Sequence, residues 1–178
     1  RGALLLKRQD DKLVEPKSVW NQTSHNASEY GSSLLNGIIG KRFDYPKSIY
    51  AVLDVLRMCT GDKKDALVVD FFAGSGTTLH AVNLLNSEDG GHRRCILVTN
   101  NEVSADEAKT LTAQGFQPGD EEWERLGIAR YVTWPRTVCS IEGHDINGQP
   151  LKGNYLGSDL PMSEGFQANA AYFKLGFL

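Results

Sequence analysis

Residues 67–85, LVVDFFAGSGTTLHAVNLL, constrain the fold of this chain more than any other stretch. Val and Phe fill a near-continuous apolar run over Ala66 to Phe72, the pattern of a strand buried on both faces of a parallel sheet. An acid and a tight Gly74-Ser75-Gly76 turn follow. Leu79, Val82 and Leu85 then recur along one side of a helix over Thr77 to Asn86. RCILVT, Arg94 to Thr99, reads as a second buried strand, which completes a β-α-β unit whose crossover is expected to be right-handed.

Such a turn brings backbone N–H groups and the positive end of a helix dipole to the carboxyl edge of a sheet, where an anionic or polar ligand binds. The glycines permit positive φ and close approach, which a Cβ would block. The turn is not a P-loop, because that motif needs a lysine after its last glycine and Gly76 is followed by Thr77. It is not a dinucleotide fingerprint either, since Leu79 stands at the third glycine position.

The rest of the chain predicts one compact α/β unit with an N-terminal appendage. Its 178 residues suffice for a single substantial core. Residues 1–36 are polar and mixed, with NQTSHNASEYGSS reading as loop, and suggest an extended arm or the tail of a preceding domain. Lys47 to Met58 carries apolar residues at helical spacing, with Pro46 suited to its start. Ser104 with Glu107 three residues on marks another helix start. A short helix after PGDEE is expected to be ended or kinked by Pro135, and DINGQPL reads as a hairpin turn. These signals divide the chain into 1–36, an α/β domain over 37–140 and a C-terminal extension over 141–178.

With 40% hydrophobic and 23% charged residues the composition is that of a soluble globular protein, and no apolar run reaches the roughly 18 to 20 residues of a bilayer span. A formal charge of −3 excludes a broad cationic field for wrapping nucleic acid, so any such contact must be local or supplied by another part. Cys59, Cys95 and Cys139 form no C-x-x-C pattern and are odd in number, which fits a reducing cytoplasm. The four histidines form no cluster with them, so no metal is expected. Trp123 and Trp134 suit core packing better than stacking on a flipped base. No signal peptide is visible, and the abrupt start and strand-like end AYFKLGFL suggest a piece of a longer protein.

DFFAGSGTT resembles the S-adenosylmethionine motif of the amino-methylating DNA methyltransferases, the adenine-N6 and cytosine-N4 class. Upstream, GKRFDYPKSIYAVLDVL is similar to the F-x-x-P-K helix that precedes this motif in the circularly arranged branch of that family. Downstream, residues 95–136 resemble the larger members related to type III modification subunits. The resemblance implies a Rossmann-like S-adenosylmethionine-dependent methyltransferase fold, present as a partial sheet with flanking helices.

By that resemblance Asp70 accepts hydrogen bonds near the methionine ammonium, Phe72 and the turn Ala73, Gly74, Ser75 and Gly76 form the floor, and Thr77 or Thr78 adds hydroxyl contacts. The alternative for Asp70 is a strand-end acid capping its own turn. Glu102, 26 residues after Gly76, sits where a Rossmann-like unit places a ribose-binding acid about 20 residues on, the polar loop NSEDGGHRR accounting for the difference. Its alternative is a solvated charge in a first helical turn; Asn100 and Asn101 share the same edge. Lys47 is placed to reach the methionine carboxylate, with Pro46 fixing the chain before it, or else is a plain helix-start lysine.

The family's catalytic tetrapeptide, [DNS]-P-P-[YFW], is absent from these 178 residues, so no catalytic residue is expected in this chain. The resemblance implies DNA as a partner through the full-length protein, with a restriction subunit or a second copy as further partners, and adenine N6 before cytosine N4 as the target. The rival reading is a non-catalytic sensor or partner-binding module built on the same turn.

Overall fold

The computed structural model describes residues 6–7, 13–14 and 18–175. Two short strands, β1 (Leu6–Lys7) and β2 (Leu13–Val14), pair antiparallel, Leu6 opposite Val14. A π-helical turn over Ser28–Ser33 leads into α1 (Leu34–Ile39), and α2 (Ile49–Thr60) follows. Then come β3 (Leu67–Asp70), α3 (Thr77–Asp89) and β4 (Arg94–Leu97). The remaining helices are α4 (Ala105–Ala113), α5 (Glu121–Arg125) and α6 (Trp134–Glu142), the last preceded by a π-helical turn over Ala129–Thr133.

The architecture is mixed α/β around a small parallel sheet. β3 pairs parallel with β4, Leu67 opposite Arg94 through Asp70 opposite Leu97, with α3 as the crossover. The expected strand over Ala66 to Phe72 is thus shortened to four residues, and its burial on both faces is corrected. Val68 and Cys95 pack inward against α2 and α3, while Leu67, Val69, Phe71, Ile96 and Val98 on the other face are exposed. Alternation puts successive side chains on opposite faces, and among the described residues only one face has a layer over it.

That layer is α2 against α3. Ile49, Tyr50, Leu53 and Leu56 meet Ala81, Val82, Leu84 and Leu85 in one buried cluster, closed by Tyr155. α2 starts at Ile49, two residues later than its apolar spacing suggests, because the buried Ser48 is its cap: the Ser48 hydroxyl accepts from the Tyr50 and Ala51 amides and donates to the Ser24 carbonyl at 2.7 Å. Lys47 therefore precedes the helix.

The loop expected over residues 21–33 is corrected too. Ser28–Ser33 is helical, and α1 buries Leu35, Ile38 and Ile39 against Val132, Cys139 and Leu151 in a second cluster. Burial of this apolar face outweighs the weak helix preference of its Asn and Ser residues. The divisions drawn at residues 36/37 and 140/141 fall inside α1 and α6.

Ser104 caps α4 as its spacing predicts, accepting from the Glu107 amide at 3.3 Å. Pro135 does not end its helix: the run stays helical through it, π-helical over Ala129–Thr133 and α-helical from Trp134, and the Tyr131 carbonyl one turn back accepts from Arg42 Nη1 at 3.2 Å instead. DINGQPL is a tight turn: the Asp145 amide donates to the Gln149 carbonyl at 2.7 Å, beside a bridge between His144 and Pro150. No helix among the described residues is long and apolar enough to cross a membrane.

Candidate cofactor site

The sheet ladder runs directly into the glycine turn. Past the strands, the Val98 amide donates to the Asp70 carbonyl at 2.8 Å and the Ala73 amide to the Val98 carbonyl at 3.1 Å, which fastens the turn to the carboxyl edge of β4. Gly74 and Gly76 have φ of +51° and +77°. Those values are in the left-handed region that glycine adopts without strain, and a Cβ on Gly76 would also meet Thr133 Cγ2 at 3.3 Å.

Asp70 is a half-buried acid locked in place. Its Oδ1 accepts from the Phe72 amide at 2.9 Å and its Oδ2 from the Thr78 hydroxyl at 2.6 Å. It therefore caps its own turn, and each carboxylate oxygen keeps lone-pair capacity for a further donor. The Thr78 hydroxyl is committed to Asp70. Phe72 is 93% exposed at the rim, and Ala73 is buried.

The backbone of the turn faces two ways. Thr133 donates its hydroxyl to the Gly74 carbonyl at 2.6 Å. In a planar trans peptide the C=O and N–H point in opposite directions, so this bond turns the Ser75 amide away from Thr133. Among the described residues the Gly74 and Ser75 amides have no protein acceptor, and they stand at the N-terminus of the 13-residue α3. Free amides and a helix dipole together suit a carboxylate.

The hydroxyls of Ser75 and Thr77 face inward, 3.2 Å apart, onto Arg136. This arginine from α6 is wholly buried. The sequence reading missed both it and Thr133, because they lie some sixty positions from the turn and no local pattern joins them to it. His80, read as structural, is buried between Arg136 and Tyr155: its Nε2 lies 2.7 Å from the Tyr155 hydroxyl, and the Arg136 Nε–H donates to its Nδ1 at 3.4 Å. Burial, then the Arg136 charge, hold His80 well below its ordinary pKa.

A titration follows. The unfolded chain protonates His80 near its ordinary value of about 6.5, whereas the fold keeps it neutral, so its contribution to stability is full above that pH and is lost as pH falls. Chemical denaturation from pH 8 to pH 5 is expected to show stability falling below about pH 6.5, with a shallower slope in His80→Asn.

The remaining predicted residues come to the same edge unequally. The loop before α2 reaches the turn through Phe43, whose Cζ would lie 3.7 Å from a Cβ on Gly74. Pro46 in that loop is buried, whereas Lys47 is exposed. Glu102 is exposed beyond the carboxyl end of β4, where its Oε1 accepts from Asn100 Nδ2 at 3.2 Å and its carbonyl from the Ile128 amide at 2.8 Å. Asn101 instead serves structure, donating to the Glu124 carbonyl at 2.7 Å. Burial, then the Asp70 charge, push the Cys95 thiol up to about 12. Trp134 packs at a tilt against Tyr172, ring centroids 5.7 Å apart. A cavity of about 1160 Å³ runs along β4 and α3, lined by Asn83, Cys95, Leu97 and Phe166; none of residues 70–78 lines it. Among the described residues no group of three His, Cys, Asp or Glu is placed to hold a metal.

A strand-end acid, a glycine turn with free amides and an exposed acid past the neighbouring strand thus gather at the carboxyl edge of the sheet. The chain belongs to the N6/N4 DNA methylase family, whose model matches residues 4–128. It is 39% identical over 107 residues to the Mod subunit of the type III restriction-modification enzyme EcoPI from Escherichia phage P1, a match covering 57% of this chain and 16% of that protein. It is 38% identical over 90 residues to the type II methyltransferase M.KpnI of Klebsiella pneumoniae, covering 51% and 21%. The Mod subunit of the type III enzyme StyLTI of Salmonella typhimurium is 41% identical over 80 residues, covering 45% and 12%. The matched stretch is thus a small part of each of these relatives.

Proposed function

We propose that this chain is the S-adenosylmethionine-holding part of a restriction-modification DNA methyltransferase directed to adenine N6, built on a Rossmann-like half-sheet. The observation that carries the reading is the turn itself, with unpaired Gly74 and Ser75 amides beside a carboxylate fixed at both oxygens. The amides would hold the methionine carboxylate, Asp70 its ammonium, and Glu102 the ribose hydroxyls. These residues fit the cofactor without Thr77 or Thr78, whose hydroxyls are engaged elsewhere.

When bound, the cofactor supplies an electrophilic methyl group. The chain's own residues bind and orient: the locked Asp70 loses little freedom in accepting an ammonium, and the fixed turn presents its amides already aimed. DNA and a restriction subunit are the partners this reading names, supported by the relatives' description as Mod subunits. Adenine is placed before cytosine because the larger family members with this downstream pattern are mostly adenine-directed.

Calorimetric titration with S-adenosylhomocysteine tests the site. The wild-type chain binds it, and Asp70→Ala weakens binding by about 2 to 3 kcal/mol, the loss of a charged acceptor. Glu102→Gln replaces an acceptor with a donor and weakens adenosine and S-adenosylhomocysteine alike, by about 1 to 3 kcal/mol. Unchanged affinity in Asp70→Ala removes its role, and weakening of S-adenosylhomocysteine alone in Glu102→Gln moves Glu102 to the amino-acid end.

A further inference from the structure

Arg136 is 0% exposed, yet among the described residues no carboxylate is within ion-pairing distance of it. A buried cation without a counter-ion is costly, and a neutral side chain could brace a turn at less expense. Its donors all serve neutral acceptors. Nη1 donates to the Thr77 hydroxyl at 2.8 Å, to the Ser75 hydroxyl at 3.1 Å and to the Ser75 carbonyl at 3.2 Å, while Nε donates to His80 Nδ1 at 3.4 Å. Only the planar guanidinium fork reaches all of these at once from one position. The charge is thus set against Ser75, one of the two turn residues whose amides are unpaired among the described residues.

We propose that Arg136 is a positioning residue for a carboxylate-bearing ligand: from inside the fold it holds Ser75 and Thr77 and supplies, through the turn, the positive charge that the ligand's carboxylate balances. The proposal rests on the adenosyl amino-acid reading above and deepens it. It gives the carboxylate a cation that never touches it, in the place the sequence assigned to Lys47, which is exposed before α2. Burial lowers the Arg136 pKa to about 10, and at neutral pH the guanidinium stays charged. Water is excluded around it, so its field is weakly screened toward the turn.

The test compares two probes on the same chain, S-adenosylhomocysteine and its decarboxylated analogue S-adenosyl-3-thiopropylamine, which keeps the adenosine, sulfur and ammonium. Wild type prefers the carboxylate-bearing probe. In Arg136→Met that preference falls about tenfold, the size expected of one weakly screened charge near the site, while affinity for the analogue changes little. Arg136→Lys restores part of the preference at pH 7 and loses it at a lower pH than wild type does, because a buried ammonium gives up its proton more readily than a buried guanidinium.

Equal weakening of both probes in Arg136→Met, or a pH-independent preference in Arg136→Lys, makes Arg136 a strut alone and overturns the proposal while leaving the cofactor site standing. Failure of wild type to bind either probe overturns the adenosyl reading and this proposal with it. If Arg136→Met does not fold, the pH course of Arg136→Lys decides by itself.

Discussion

Replacing Arg93 with methionine is expected to remove about 3 kcal/mol of folding stability, at the lower end for breaking a buried ion pair. Arg93 is buried and ties three elements together. Its Nη2 donates to Asp89 Oδ2 and to the Thr60 carbonyl, both at 2.9 Å, and its Nε to the Thr60 hydroxyl at 3.1 Å, joining the ends of α2 and α3 to the start of β4. Methionine leaves the Thr60 carbonyl without this donor and the Asp89 carboxylate without its cation. The loss is held to the lower end because the Asp89 side chain is 27% exposed and water can solvate it.

The same pair sets an acid limb. Burial by itself raises the Asp89 pKa, but the hydrogen bond and charge of Arg93 outweigh it and hold the carboxyl below its usual range. A depressed carboxylate stabilises the fold above its unfolded value of about 3.9, and that contribution disappears as pH falls through the folded value. Urea titrations should show a lower midpoint in Arg93→Met with an unchanged slope, and wild type should lose part of its advantage below about pH 4. An unchanged midpoint at pH 7 would show that Asp89, Thr60 and Arg93 are held by their surroundings without one another.

The β-α-β unit and its turn were legible because each part has a local signature: an apolar run for β3, glycines for positive φ, and a 3.6-residue period for α3. Ser104 with Glu107 was legible for the same reason. What the sequence did not show are features set by distant partners. Ser28–Ser33 is polar, and its helicity follows from the burial of Leu35, Ile38 and Ile39 against residues about a hundred positions away. Pro135 was read as ending or kinking a helix, and the helical run continues through it because the preceding turn is π-helical, which no local pattern announces. Asp70 and Glu102 were found at the sheet edge by spacing, while Thr133 and Arg136 carry no motif and meet the turn only in three dimensions.

This division also fastens the turn to the fold without any ligand contact. Its outer surface is left to free amides and Asp70, and its inner surface is saturated by Thr133 and Arg136. The residues that would touch a ligand are therefore held by residues that would not, and substitutions on α6 are expected to reach the site through the backbone of Ser75.

This chain alone is expected to transfer no methyl group to DNA, even with the donor bound as proposed. Rate requires the acceptor nitrogen to be held in line and electronically prepared, and binding the donor does neither. In the family this chain resembles, that task falls to a [DNS]-P-P-[YFW] tetrapeptide, and these 178 residues contain no two adjacent prolines. A net charge of −3 acts in the same direction, since even non-specific DNA affinity depends on many cation–phosphate contacts. The measurement is transfer of label from S-adenosylmethionine to duplex DNA at low salt, with the type II methyltransferase M.KpnI as the active comparison. Label in the DNA with this chain alone would place the amine-gripping chemistry inside residues 1–178, and would send the search to the exposed rim around Phe72 and the exposed face of the sheet.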